Sequence, residues 1–275
     1  MQDTKTTMFC LCDDFLKANG CHDDGQCRVS TAQVMTTPLV AAAFFGGNLA
    51  LTRRFLIAHG YFKSDLSASR FCRRLHGISR ELWRSLFRIL GEVFVRCNPT
   101  SNYIVDSFPI PACDNIRIAR CKLFPKEVYR GRIASKRRYF FGLKVHLLVT
   151  QQGEPVEFVL TPGSVADIKA FKALDLDLPA GSLVHADGAY NDYREEDLLA
   201  QAAGITLQPQ RKKNSKRPLA VCKEFLFKPI RQQVEIAFSQ ITNLFPRHIH
   251  AVTADGFVLK VVCFLLAYSF QCLQA

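Results

Sequence analysis

A carboxylate inside an apolar strand constrains this chain more than any other feature. The stretch Asn102 to Ile110, N-Y-I-V-D-S-F-P-I, sets Asp106 among Ile104, Val105, Phe108 and Ile110. An acid there must be hydrogen-bonded, bound to a cation, or placed where the strand leaves the core, because burying it alone is costly. We read Asp106 as a metal-binding carboxylate, since H-A-D-G-A-Y at 185–190 and R-Q-Q-V-E-I-A-F at 231–238 offer partners.

The chain is long enough for one large domain or two ordinary ones, and its 48% hydrophobic content supplies the core of a globular, not a disordered, protein. A net charge of +12 points to a polyanionic partner, nucleic acid ahead of an anionic membrane surface. Eleven cysteines, an odd number without a secretory leader, read as the reduced thiols of a soluble cytoplasmic protein. Cys10, Cys12, Cys21 and Cys27 lie near His22, but their spacing lacks the paired C-x2-C knuckles of common zinc sites. Phe257 to Phe270 is apolar yet shorter than a membrane span and carries Lys260, so a buried terminal helix is expected.

Residues 1–98 read as an all-helical N-terminal domain, with helices over 9–18, 31–45, 49–59, 67–75 and 79–95 punctuated by glycines. In the last of these, Arg80, Arg84 and Arg88 form a basic face, level between a solvated surface and a DNA contact. From Tyr103 the pattern turns to strands. Strands are expected at 102–110, 139–150, 156–160, 182–186 and 205–207, with helices at 165–174, 192–203, 229–244 and 255–271. This order, strand, strand, strand, helix, strand, helix, strand, helix, helix, is that of the ribonuclease H-like fold. The expectation for 99–275 is therefore a mixed α/β domain with a mixed five-stranded sheet.

Each acid alone has a plain explanation: Asp106 as a turn cap, Asp187 as an Asp-Gly turn, Glu235 as a helix partner of Arg231. Together they fall at the end of the first strand, the end of the fourth and within the penultimate helix. If those strands are neighbours, both aspartates emerge at one edge and a covering helix brings the glutamate to them. Three hard oxygen donors suit two Mg²⁺ ions, with Mn²⁺ as a substitute, clamping an in-line phosphoryl displacement.

V-D-S-F-P-I, F-F-G-L-K-V-H-L-L-V, L-T-P-G-S-V-A-D, H-A-D-G-A-Y and Q-V-E-I-A-F, in this order, resemble the successive motifs of bacterial insertion-sequence transposases with a DDE catalytic domain. The likeness is nearest to the insertion sequence 982 family and extends to L-C-D-D-F-L-K near the N-terminus. The resemblance implies a Mg²⁺-dependent enzyme in which Asp106, Asp187 and Glu235 bind the metal, cut the element's ends and join them to target DNA. It also implies a homo-oligomer, at least a dimer when paired on DNA, and association with the nucleoid. Related transposases carry a tyrosine, an arginine and a lysine around the glutamate. Arg231 keeps the arginine place, whereas Lys228 and Thr242 stand where tyrosine and lysine would be.

The DNA contacts are expected from Arg117, Arg130, Arg132, Arg137 and Arg138 in a mobile basic loop, from Lys144, from Arg211, Lys212 and Lys213, and from Arg231. Lys144 and His146 share one strand face; His146 is expected to be buried and hydrogen-bonded. Two rivals stand beside the transposase reading: a metal-dependent nuclease that never joins strands, and a non-catalytic DNA-binding protein of the same fold.

Overall fold

Short polar caps start each of the first four helices. The computed structural model describes residues 3–133, 137–211, 214–218, 232 and 235–274. The helices are α1 (Thr4–Ala18), α2 (Thr31–Phe44), α3 (Leu49–Ala58), α4 (Ala68–Gly77) and α5 (Arg80–Cys97). Asp3, Asn48 and Ser67 cap α1, α3 and α4. Ser30 and Gln33 close a reciprocal capping box on α2, satisfying two backbone donors that the first turn leaves free.

The strands follow as β1 (Asn102–Cys113), β2 (Arg130–Ile133), β3 (Arg138–Thr150) and β4 (Pro155–Pro162). Then come α6 (Asp167–Phe171), β5 (Leu183–Ala186), α7 (Tyr193–Ala203) and β6 (Thr206–Pro209). A helix over 235–244 (α8) and the terminal helix α9 (Ala254–Cys272) complete the order.

Among the described residues one mixed sheet holds six strands in the order β2-β3-β1-β5-β6, with β4 pairing β3 beyond β2. β3 runs antiparallel to β1, β2 and β4, while β1, β5 and β6 are parallel. The sheet has one strand more than the expected five. Arg117 to Arg138, expected as a loop, contains β2 and two short 3-10 turns at Asn115–Arg120 and Glu127–Tyr129. β2 escapes the sequence pattern because its four residues include two arginines on an edge strand, where charge is tolerated on the solvent side.

Helices cover both sheet faces. On one, Tyr103, Val105, Val184 and Ala186 pack with Phe171 of α6 and Leu199 of α7. Here α5 also approaches β4 backbone to backbone, since a Cβ at Gly91 would lie 2.2 Å from the Val156 carbonyl oxygen. On the other face, Phe108 meets Phe238 of α8 edge-on, with ring centroids 5.7 Å apart.

The chain divides into two compact units, residues 88–240, which hold the sheet, and residues 1–87 with 241–275. The division falls within α5, and α9 groups with the N-terminal helices. In that unit α2, buried along most of its length, packs against α9. By length and composition α9 is apolar enough to cross a membrane, but 61% of its apolar window is buried inside the protein. Apolarity on all sides is the mark of a helix enclosed by others.

Candidate active site

The parallel pairing of β1 with β5 runs from Asn102 opposite Leu183 to Val105 opposite Ala186. One step further along the same register come Asp106 and Asp187. Asp106 alternates with Val105 onto the other face of β1, and Asp187 follows Ala186 just where β5 ends, beside it. Asp106 is half-buried and its Oδ1 accepts the Ser107 N–H at 2.7 Å. Asp187 is exposed, and its Oδ1 accepts the Ala189 N–H at 2.7 Å, capping the turn Gly188–Tyr190.

Glu235 lies in the first described turn of α8 and is exposed. Phe238, three residues on, is the residue that meets Phe108, and Phe108 shares a strand face with Asp106 two residues before it. α8 therefore covers the face that carries Asp106. Among the described residues, however, no three His, Cys, Asp or Glu side chains are grouped closely enough to hold a metal ion. Asp106 lies within β1, not at its end as expected, while Asp187 follows the end of β5; as hard carboxylates the two fit a divalent cation of the Mg²⁺ type, and Glu235 is not gathered with them.

On the opposite face lies a polar cluster that the sequence left unassigned. Asp167, at the start of α6, accepts the Ser107 hydroxyl at 3.0 Å and the Lys144 ammonium at 3.0 Å, and lies 3.6 Å from Nδ1 of His146. The Lys144 ammonium also donates to the Val165 carbonyl at 3.2 Å. His146 is fully buried with Nε2 2.9 Å from the Thr161 hydroxyl, as expected of it. Burial pushes the His146 imidazole down to about 4, against the pull of the Asp167 carboxylate. Tyr190 is buried beside this cluster. Its phenol is held well above the ordinary tyrosine range, first by burial and then by the fields of Asp167, Asp106 and Asp187. The signal available in the sequence was Asp167 as the final residue of L-T-P-G-S-V-A-D, together with the shared face of Lys144 and His146.

The expected DNA contacts divide. Arg117, Arg132, Arg137 and Arg138 are exposed; Arg130 is exposed too, but its Nε binds Glu127 at 2.8 Å. The Lys144 ammonium is engaged by Asp167 and Val165, and its side chain is 15% exposed. Arg211 pairs with Glu196 and Asn191, the Arg211 and Glu196 side chains being 7% and 9% exposed. Arg217 turns back as well, forking onto Asp197, and both arginines flank the Tyr193 ring at 5.1 and 4.9 Å. A guanidinium gains more from a buried carboxylate and an aromatic face than from open solvent, which charge in a sequence does not reveal. Lys212, Lys213, Lys228 and Arg231 lie outside the described residues, and Thr242 is exposed on α8.

Residues 96–250 match the family described as a transposase DDE domain. The matched segment contains every strand of the sheet and all three acids, and the mixed sheet with its helices is consistent with a ribonuclease H-like fold. No curated protein matches the chain.

Proposed function

This chain belongs to the transposase DDE family, matched over more than half its length, and on that premise we propose that it cleaves the ends of a mobile DNA element and joins them to target DNA. The observation that supports this reading is the parallel pairing of β1 with β5, whose last pair, Val105 with Ala186, is followed on each chain segment by an aspartate, Asp106 and Asp187. To these two acids and Glu235 we assign the chemistry. The contact of Phe108 with Phe238 supports the third member, because Glu235 stands about one helical turn before Phe238. Asp106, Asp187 and Glu235 would hold Mg²⁺, or Mn²⁺ in its place. When bound, such ions neutralise phosphate charge and ease ionisation of the attacking hydroxyl.

The protein's own groups orient the site. Backbone N–H groups of Ser107 and Ala189 each hold one oxygen of Asp106 and Asp187. Exposed Arg117, Arg132, Arg137 and Arg138 offer phosphate contacts that position DNA without reading its sequence. Water attacks the phosphodiester at an element end, and the freed 3′-hydroxyl then attacks target DNA. Both are the same in-line displacement with different nucleophiles, so one site serves both. The helices before β1 complete the proposal as a DNA-binding domain, with pairing of two ends requiring at least a dimer. We also place the protein in the cytoplasm, on the nucleoid when bound, and nearest the insertion sequence 982 family.

The test uses labelled duplexes made from the DNA that flanks the coding sequence, incubated with the full chain, Mg²⁺ and a target plasmid. Cleavage at an end followed by labelled strands joined to plasmid is expected. Cleavage without joining would make the protein a nuclease, and binding without cleavage a DNA-binding protein of this fold; either outcome overturns the proposal.

A further inference from the structure

Ser107 sits between the two faces of the sheet. Its backbone N–H holds Asp106 Oδ1 on one side, and its hydroxyl donates to Asp167 Oδ1 on the other. Asp167 is in turn fixed by Lys144, whose ammonium is anchored to the Val165 carbonyl just before α6. The Lys144 and Asp167 side chains are 15% and 20% exposed, so this ion pair is shielded enough to keep its geometry, and with each charge compensated its burial is tolerated. The three bonds run in sequence from Lys144 on β3 to Asp167 at the start of α6, on to Ser107 on β1, and so to the carboxylate on the opposite face.

We infer that Asp167, clamped by Lys144 and acting through Ser107, is a positioning residue that sets the orientation of the Asp106 carboxylate for the divalent metal. This rests on the assignment of Asp106 to the metal given above. Asp167 does not touch the reacting atoms, since it lies across the sheet from them. Its role is to fix Ser107, because a rotation of the 107 peptide would swing the N–H that holds Asp106. Groups that orient a ligating carboxylate in this way matter nearly as much as the ligand they hold.

The experiment compares full-length wild type, Asp106→Asn, Ser107→Ala, Asp167→Asn and the Ser107→Ala/Asp167→Asn double variant. Each is measured for Mn²⁺ affinity by titration of the free paramagnetic ion, for duplex DNA affinity, for thermal unfolding, and for single-turnover cleavage of the flanking-DNA duplex. Ser107→Ala removes only the link and leaves the pair of Asp167 with Lys144 intact, so it stays informative if Asp167→Asn folds poorly. Both single variants should lose about 10- to 100-fold in Mn²⁺ affinity and cleavage rate, with DNA affinity unchanged. The double variant should be no worse than the poorer single one, because the two act along one line of bonds. Additive losses, or lowered thermal stability with wild-type Mn²⁺ affinity, would overturn the inference. So would wild-type behaviour of Ser107→Ala and Asp167→Asn alongside an inactive Asp106→Asn, which would leave the assignment of Asp106 standing. If wild type itself neither binds Mn²⁺ nor cleaves, that assignment falls, and this inference falls with it.

Discussion

Replacing Asp187 by asparagine removes one of the two negative charges proposed to share the metal, each one residue beyond the last pair of β1 with β5. Neighbouring strands lie about 5 Å apart, so two carboxylates one step beyond the paired Val105 and Ala186 repel across roughly that distance. The repulsion amounts to about 3 kcal/mol at an effective dielectric constant of 20 and to less than about 1 kcal/mol in water. Asp187 is exposed, so a relief of about 1 kcal/mol is expected in metal-free protein once solvent screening is counted. Asparagine keeps an oxygen for the Ala189 N–H, so the cap on the following turn survives. Without metal the variant should therefore unfold about 2–4 °C above wild type. Adding Mg²⁺ should raise the wild-type midpoint and leave that of the variant nearly unmoved, since only wild type has the charge to bind the ion tightly. Cleavage and strand transfer should fall by about 4 kcal/mol or more of transition-state stabilisation, a loss of roughly a thousandfold, while DNA binding is retained. Calorimetry with and without Mg²⁺, alongside the duplex cleavage assay, reads all three effects. A variant less stable than wild type in chelator, or one that cleaves at near-normal rate in Mg²⁺, would refute the paired-carboxylate site and return Asp187 to a simple turn aspartate.

Gly91→Ala should destabilise the protein by about 1–3 kcal/mol in urea unfolding, because its Cβ would lie 2.2 Å from the Val156 carbonyl oxygen and neither backbone can yield cheaply. Arg211→Ala should cost about 3 kcal/mol by leaving Glu196 buried without its main partner; its DNA affinity should keep the wild-type salt dependence, and a reduced salt slope would restore Arg211 to the DNA interface. Arg132→Ala with Arg138→Ala should do the reverse, flattening the fall of log affinity with log salt by about two phosphate contacts while stability stays within about 0.5 kcal/mol. For His146, burial holds the folded imidazole neutral down to about 4 whereas the unfolded one titrates near 6.5. The unfolded chain thus binds the extra proton first, so this contribution is complete above pH 6.5 and is lost as pH falls towards 4, to a ceiling of about 3 kcal/mol. His146→Gln should flatten that part of the stability–pH curve, and an unchanged curve would show that the imidazole is already charged when folded.

The local pattern of residues was sufficient to locate nearly every element. Glycines separated α1 to α5, although α1 begins at Thr4 and not at the expected 9, and strand residues marked β3 from 139 to 150, because these signals act between residues close in the chain. The order of elements then led to a mixed sheet, and the spacing of the motifs to Asp106, Asp187 and Glu235. Tertiary pairing alone decided what became of the charges. Arg211 and Lys144 read as DNA contacts while only their charge was known, but the fold supplied Glu196 to one and Asp167 to the other. The edge strand β2 formed because β3 offered it a partner, not because R-G-R-I favours a strand. The placement of α9 with the N-terminal helices depended on which apolar face was available to enclose it. Asp167 stood in the sequence only as the end of L-T-P-G-S-V-A-D, because its partner Ser107 is sixty positions away in the chain and 3.0 Å away in space. Ion pairs and edge-strand pairing are made by groups distant in sequence, so their outcome is settled only when the sheet brings them together.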